Sequence, residues 1–317
     1  MIYKRKNIVV VGIFVFIVIF LYDTVHAQDN DKKDSSILII GDESVQRHDN
    51  ESFYKGNDYL NKKMYNEAIL EFSRAIQINP SLWQAYGNRG NAYREKGDFD
   101  KAISDFNTVI LNNPKEALAY YNRGLTYNKK GDLDRAISDY TQAIEIDPSL
   151  WQAYGNRGNT YYDQDKLEEA ISDFTKVIEI NPNSDIIYSS RGNAHFKKGD
   201  LDQAIFDYEK VIQINPNFDK VYQTNVIDNL VNAYNDKAYT YYSSGNNLEE
   251  GLRIIDKAIA FAPNDGIALG TKAELLYKMK RFNEAYEYIK KAVMLEPDNS
   301  ELKKDLQSIE GALKESK

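Results

Sequence analysis

All seven prolines of this 317-residue chain fall on one grid. They are Pro80, Pro114, Pro148, Pro182, Pro216, Pro263 and Pro297, at spacings of 34, 34, 34, 34, 47 and 34. A fixed period of that length marks an array of supersecondary units rather than one irregular core. Within a period the pattern is helical. Tyr86, Gly90 and Tyr93 stand at i, i+4 and i+7, and Ala102, Ile103, Phe106, Val109 and Ile110 share one face of the next segment. Gly97 marks the end of the first helix. Pro114 stops the second, because its ring excludes a helical hydrogen bond and clashes with the preceding turn. The stretch PSLWQAYGNRGN occurs unchanged at Pro80–Asn91 and Pro148–Asn159, so a unit of two periods has been copied.

Columns 34 residues apart repeat one packing recipe. The small column reads Gly56, Gly90, Gly124, Gly158, Gly192, Tyr239, Ala273, and the aromatic column after it Tyr59, Tyr93, Tyr127, Tyr161, His195, Tyr242, Leu276. In the second helix, Ala68, Ala102, Ala136, Ala170, Ala204, Gly251 and Ala285 precede Phe72, Phe106, Tyr140, Phe174, Tyr208, Ile255 and Ile289. This pattern resembles the tetratricopeptide repeat family from about Asp49 to Asn299. The resemblance implies an all-α fold, a right-handed superhelical solenoid of seven tetratricopeptide-type helix hairpins plus a C-terminal capping helix. It also implies a protein-interaction scaffold whose first helices line a concave groove. The cap is expected from Ser300 to about Lys314, with Leu302, Leu306, Ile309 and Leu313 on one side. The resulting division is 1–27, an export signal or membrane anchor; 28–48, a polar linker; 49–299, the repeats; and 300–317, the cap.

Two polar patterns run through the first helices. Arg89, Arg123, Arg157 and Arg191 stand 16 residues before Asp105, Asp139, Asp173 and Asp207, with Lys55 and Glu71 in the first repeat. The sixth repeat has Ala238 and Ile254 there, losing both members at once, which points to structural ion pairs: an unpaired buried charge is costly. Gln84, Asn88 and Asn91 share a face at i, i+4 and i+7, with Asn122, then Gln152, Asn156 and Asn159, then Asn193 in corresponding places. By the resemblance that face lines the groove, with Tyr121 beside it. Amide side chains donate and accept, so these residues are the candidate contacts to the main chain of a peptide; a merely solvated face is the other reading.

The sixth repeat carries 13 extra residues, around Thr224–Asp236. A long helix from about Asp219 to Ser243, protruding or kinked, is expected there. It would serve as a docking spur or stand as a tolerated insertion.

Composition removes several functions. The chain has no cysteine and three scattered histidines, and no metal-spaced cluster, cofactor loop or Ser/His/Asp set occurs; no metal, cofactor or enzymatic activity is expected. GNRGN lies inside a helix, not between a strand and a helix, so it is no phosphate loop. At the amino terminus, Lys4, Arg5 and Lys6 precede an apolar run from Ile8 to Tyr22, and Val25–Ala27 resembles a cleavage site. This segment reads as a cleaved export signal, or as an uncleaved anchor, and either places the body outside the cytoplasm. Without it the formal net charge moves from −8 to −10, which disfavours nucleic acid as a partner. The expected protein is an exported, non-catalytic scaffold, periplasmic or secreted, that binds a peptide or protein segment and serves cell-envelope assembly or secretion. The alternative is a membrane-anchored organiser that oligomerises through the sixth-repeat insertion.

Overall fold

Alternating helix formers, a left-handed turn residue and a proline-ended loop can be satisfied only by short helices folding back on one another. The computed structural model, which describes residues 51–216 and 220–316, shows this: fifteen helices, and no strand among the described residues. They are α1 (Glu51–Asn61), α2 (Tyr65–Ile78), α3 (Trp83–Lys96), α4 (Phe99–Asn112), α5 (Ala117–Lys130), α6 (Leu133–Ile146), α7 (Trp151–Asp163) and α8 (Leu167–Ile180). After them come α9 (Asp185–Lys198), α10 (Leu201–Ile214), α11 (Lys220–Ser244), α12 (Leu248–Phe261), α13 (Gly266–Lys278), α14 (Phe282–Leu295) and α15 (Ser300–Glu315). Consecutive helices pair as seven antiparallel hairpins, and α15 packs alone against the last of them. The chain divides between Pro182 and Asn183 into two compact units, α1–α8 and α9–α15.

Turn chemistry explains the tight hairpins. Gly97, Gly131 and Gly199 adopt φ of 85°, 87° and 90°, and each ends a first helix. Asp165 and Lys280 take the same role at φ 62° and 61°, a conformation less favourable for residues with a Cβ. At the amino end of α15, Asn299 caps the helix by accepting from the backbone N–H groups of Glu301 and Leu302.

The core of each of the first five hairpins is a ring laid on a glycine. A Cβ added at Gly124 would stand 2.9 Å from the Tyr140 ring and 3.2 Å from the Ala136 carbonyl oxygen. This close approach is why a residue that costs about 1 kcal/mol in a helix recurs here. In both units successive first helices touch one another, and successive second helices make no contact of that extent. The first helices therefore form the inner layer, the second helices the outer one. The cap buries Leu302 and Ile309, with Leu306 and Leu313 half covered.

The sixth repeat departs from expectation. The long helix is present as the 25-residue α11, but its added residues do not form a spur. Val226, Leu230, Val231, Ala233 and Tyr234 are buried in the core of the second unit. An apolar row of that length is stabilised more by packing against α10, α12 and α13 than by projecting into water. The turn after α11 is also one residue longer than those after α3 and α5, spanning Gly245, Asn246 and Asn247. This shifts the register. A Cβ on Gly251 would meet the Ala238 carbonyl and the Tyr241 side chain, so Ala238 and Tyr241 fill the small and aromatic columns, not Tyr239 and Tyr242.

Candidate functional site

Four arginines and four aspartates make the same bidentate contact. Arg89, Arg123 and Arg157 in the first unit, and Arg191 in the second, donate through Nε and Nη2 to both carboxylate oxygens of Asp105, Asp139, Asp173 and Asp207, at 2.6–2.9 Å. Each contact joins the two helices of one hairpin. In the first unit the remaining nitrogen reaches the preceding second helix, where Ser73 Oγ, Asn107 Oδ1 and Thr141 Oγ1 accept at 3.0, 2.6 and 2.9 Å. The guanidinium groups also lie over tyrosine rings, Arg89 at 5.4 Å from Tyr86 and Arg191 at 5.6 Å from Tyr188. Burial raises the carboxyl groups of Asp105, Asp139 and Asp173, while their arginines pull the other way. The aspartates are almost fully buried, and these pairs act within the stack.

Lys55 and Glu71 do not pair as the column suggested. Lys55 turns to Glu51 at 2.6 Å and Glu71 to Arg74 at 2.5 Å, so each takes a partner one turn away on its own helix. In the sixth repeat the shifted register brings Lys237 to the arginine position, and its ammonium goes to Asp202. In the seventh, Lys272 reaches Asp256 at 2.6 Å and the Tyr288 hydroxyl at 2.8 Å.

The amides divide into two groups. In the first unit Gln84, Asn88, Asn91, Tyr121 and Asn122 are buried, Asn88 and Asn91 at 0 % exposure. These five candidate groove residues are therefore covered rather than open to solvent. They lie against the neighbouring first helix: Asn88 Nδ2 donates to Asn57 Oδ1 at 2.8 Å, and Asn122 Oδ1 accepts from Arg94 at 2.9 Å. Gln152, Asn156 and Asn159 are only partly covered. Asn156 Nδ2 donates to the Tyr121 hydroxyl at 3.1 Å and to the Gln152 carbonyl at 2.9 Å. In the second unit half-buried Asn193 accepts from the Tyr208 hydroxyl at 2.7 Å and from Asn229 at 3.1 Å.

Charged groups accompany the amides in the first unit. Arg94, 4 % exposed, donates to Glu95 at 3.1 Å, and Lys129 reaches the same carboxylate at 3.4 Å. Desolvation lowers the Lys129 ammonium below the usual lysine range. The sequence pattern marked the amides but not Arg94, which stands alone in its column. Among the described residues no group of three or more His, Asp or Glu side chains could hold a metal ion, and no helix is long and apolar enough to cross a membrane. The apolar run from Ile8 to Tyr22 and the linker lie outside the described residues.

Comparison with known families and structures agrees with this geometry. Models described as tetratricopeptide repeat match residues 117–150, 186–218, 71–104, 139–172 and 268–299, and one described as TPR repeat matches 90–131 and 158–199. No curated protein matches the sequence. Among solved structures, a tetratricopeptide repeat protein from Parabacteroides merdae is 18% identical, covering 82% of this chain and 97% of its own, at a TM-score of 0.50. The structure of Naa15/Naa10 bound to HypK-THB has 15% identity and a TM-score of 0.59, covering 81% of this chain and 38% of that one. A MamA structure from Desulfovibrio magneticus RS-1 is 20% identical with a TM-score of 0.50, covering 53% and 96%. At these identities the structural likeness concerns the fold alone. The family matches together span 71–218 and 268–299, more than half of the chain, and coincide with the hairpins, their glycine–ring contacts and their proline-ended loops. By its sequence and its fold, the chain belongs to the tetratricopeptide repeat family.

Proposed function

We propose that this non-catalytic repeat scaffold binds an extended peptide or protein segment along the inner layer of its first helices. The observation that carries this reading is the exposed part of the amide set on α7. Gln152, Asn156 and Asn159 lie on one helical face at i, i+4 and i+7, partly covered and able to donate and accept. An extended main chain offers both kinds of group in alternation, and side-chain amides match it without selecting for sequence. The buried members, Asn88 and Asn122, support the site by joining first helices.

A Gln152/Asn156/Asn159→Ala variant tests this against a random nonapeptide library. Peptides selected on the wild type should bind the variant at least tenfold more weakly, with helix content unchanged by circular dichroism. Equal affinity for both proteins removes the reading.

Export from the cytoplasm is the other half of the proposal. Lys4, Arg5 and Lys6 ahead of the Ile8–Tyr22 run, and the small-residue site at Val25–Ala27, support it, with work in cell-envelope assembly or secretion as the setting. Amino-terminal sequencing of the natural protein should return Gln28 if the signal is cleaved. A mature chain that keeps Met1 and stays in the membrane fraction would favour the anchor instead.

A further inference from the structure

The longer turn after α11 has a chemical consequence in the second unit. It moves Ala238 and Tyr241 into the core columns, so Tyr239 and Tyr242 come to the inner layer with Asn235. These three stand at i, i+4 and i+7 on one face of α11. The two tyrosine rings lie 5.3 Å apart, tilted by 45°. The next two first-type helices carry carboxylates, Glu274 on α13 and Glu301 and Asp305 on α15, all half-buried, and their charges act on the phenols.

Their proximity shows in the phenols. Burial, then the charge of Glu274, pushes Tyr242 up to about 12, with Asp305 adding to it. Tyr239 is raised by burial and by Glu274, Glu301 and Asp305 in turn. Gly270 makes the assembly possible. A Cβ there would stand 2.4 Å from Leu302 Cδ2, so the glycine lets α15 seat against α13 and bring Glu301 and Asp305 alongside.

Two buried polar atoms make this more than a set of acids. Asn235 is 8 % exposed, and its Oδ1, one turn from Tyr239, has no hydrogen-bond partner. Thr271 is fully buried one turn before Glu274, and its Oγ1 is also without a partner. A buried acceptor left unmet costs free energy unless a donor arrives. Lys278, over the Tyr242 ring at 4.8 Å and donating to the Tyr242 carbonyl, already shows one ammonium using an aromatic face of this set.

We propose that Tyr239, Tyr242, Asn235, Glu274 and Asp305 form a subsite for a cationic side chain, lysine or arginine, of a peptide lying on the inner layer of the second unit. It rests on the groove reading above and names the ligand chemistry for this unit. Aromatic faces attract a cation through their quadrupole. The carboxylates supply charge-assisted acceptors, and Asn235 Oδ1 takes one further N–H.

The test measures fluorescence anisotropy of a labelled nonapeptide with two arginines, beside the same peptide carrying neutral citrulline at both places. Full-length wild type is compared with an isosteric Glu274→Gln/Asp305→Asn variant. Wild type should bind the arginine peptide at least tenfold more tightly than the citrulline peptide. That preference should fall below threefold in the variant, whose melting temperature and helix content report that it remains folded. A Tyr239→Leu variant should lose preference while keeping every carboxylate. Equal binding of the two peptides by wild type, or an undiminished preference in the variants, overturns the subsite and leaves the groove reading standing. Failure of wild type to bind either peptide, or any library peptide, removes both.

Discussion

Replacing Asp207 by alanine should destabilise the second unit by about 3–5 kcal/mol, among the largest effects expected of any single substitution in this chain. Asp207 is fully buried and accepts both the Nε and Nη2 bonds of Arg191, at 2.9 and 2.8 Å. Its removal leaves the partly buried Arg191 guanidinium with its carboxylate gone and only limited access to water. The loss is one of desolvation more than of attraction. Replacing both partners, as Arg191→Met with Asp207→Leu, should therefore cost much less than Asp207→Ala alone, because no orphaned charge remains. Urea denaturation of the three proteins, read by circular dichroism, measures the comparison. If the double variant is no more stable than the single one, the pair stabilises by attraction and this account is wrong. Exposed pairs such as Lys62–Asp58 provide the contrast, and their loss should move stability by less than about 1 kcal/mol.

Phe174→Ala should cost about 3–5 kcal/mol in the first unit by opening a cavity. The ring is 1 % exposed and lies against Gly158, where a Cβ would stand 2.9 Å from its edge. Glycine has no side chain to swing into the space, and the facing surface is helix backbone held by its own hydrogen bonds. Collapse of the void is thus resisted, which puts the substitution at the costly end of its range. Because each hairpin is stabilised chiefly by its neighbours, faster amide hydrogen exchange should appear in α7 and α8 and weaken along the unit. Leu111→Ala, at a side chain 81 % exposed, should change stability by less than about 0.5 kcal/mol in the same urea assay. A Phe174 variant that melts with the wild type would show that the hairpin repacks freely.

The arginine–aspartate spacing of 16 residues was legible because both partners recur on a rigid two-helix unit. Lys55 and Glu71 share that spacing and do not pair, since spacing specifies reach and not which partner wins: Glu51 and Arg74 lie one turn away on the same helices. The amides were legible as a face and not as a surface. Gln84, Asn88 and Asn91 span an arc of helix wide enough for one edge to touch the next hairpin, as Asn88 does at Asn57. The acidic and aromatic set on α11, α13 and α15 escaped notice for another reason. Counting back from Pro263 assigns Tyr239 and Tyr242 to the core, and nothing in Gly245-Asn246-Asn247 announces a longer turn.

The sequence by itself determined the period, the helix pairs, their turns and the small–large packing of each hairpin. Those properties are local: proline and glycine act on adjacent backbone, and a 34-residue unit repeats its own contacts. Only the tertiary structure decided which residue of α11 faces the core, whether the added turns of that helix are buried, and which amides remain open to a ligand. Each of those depends on the rotation of one hairpin against the next, and a shift of one residue turns a helix by about 100°, moving a side chain from the core to the inner layer.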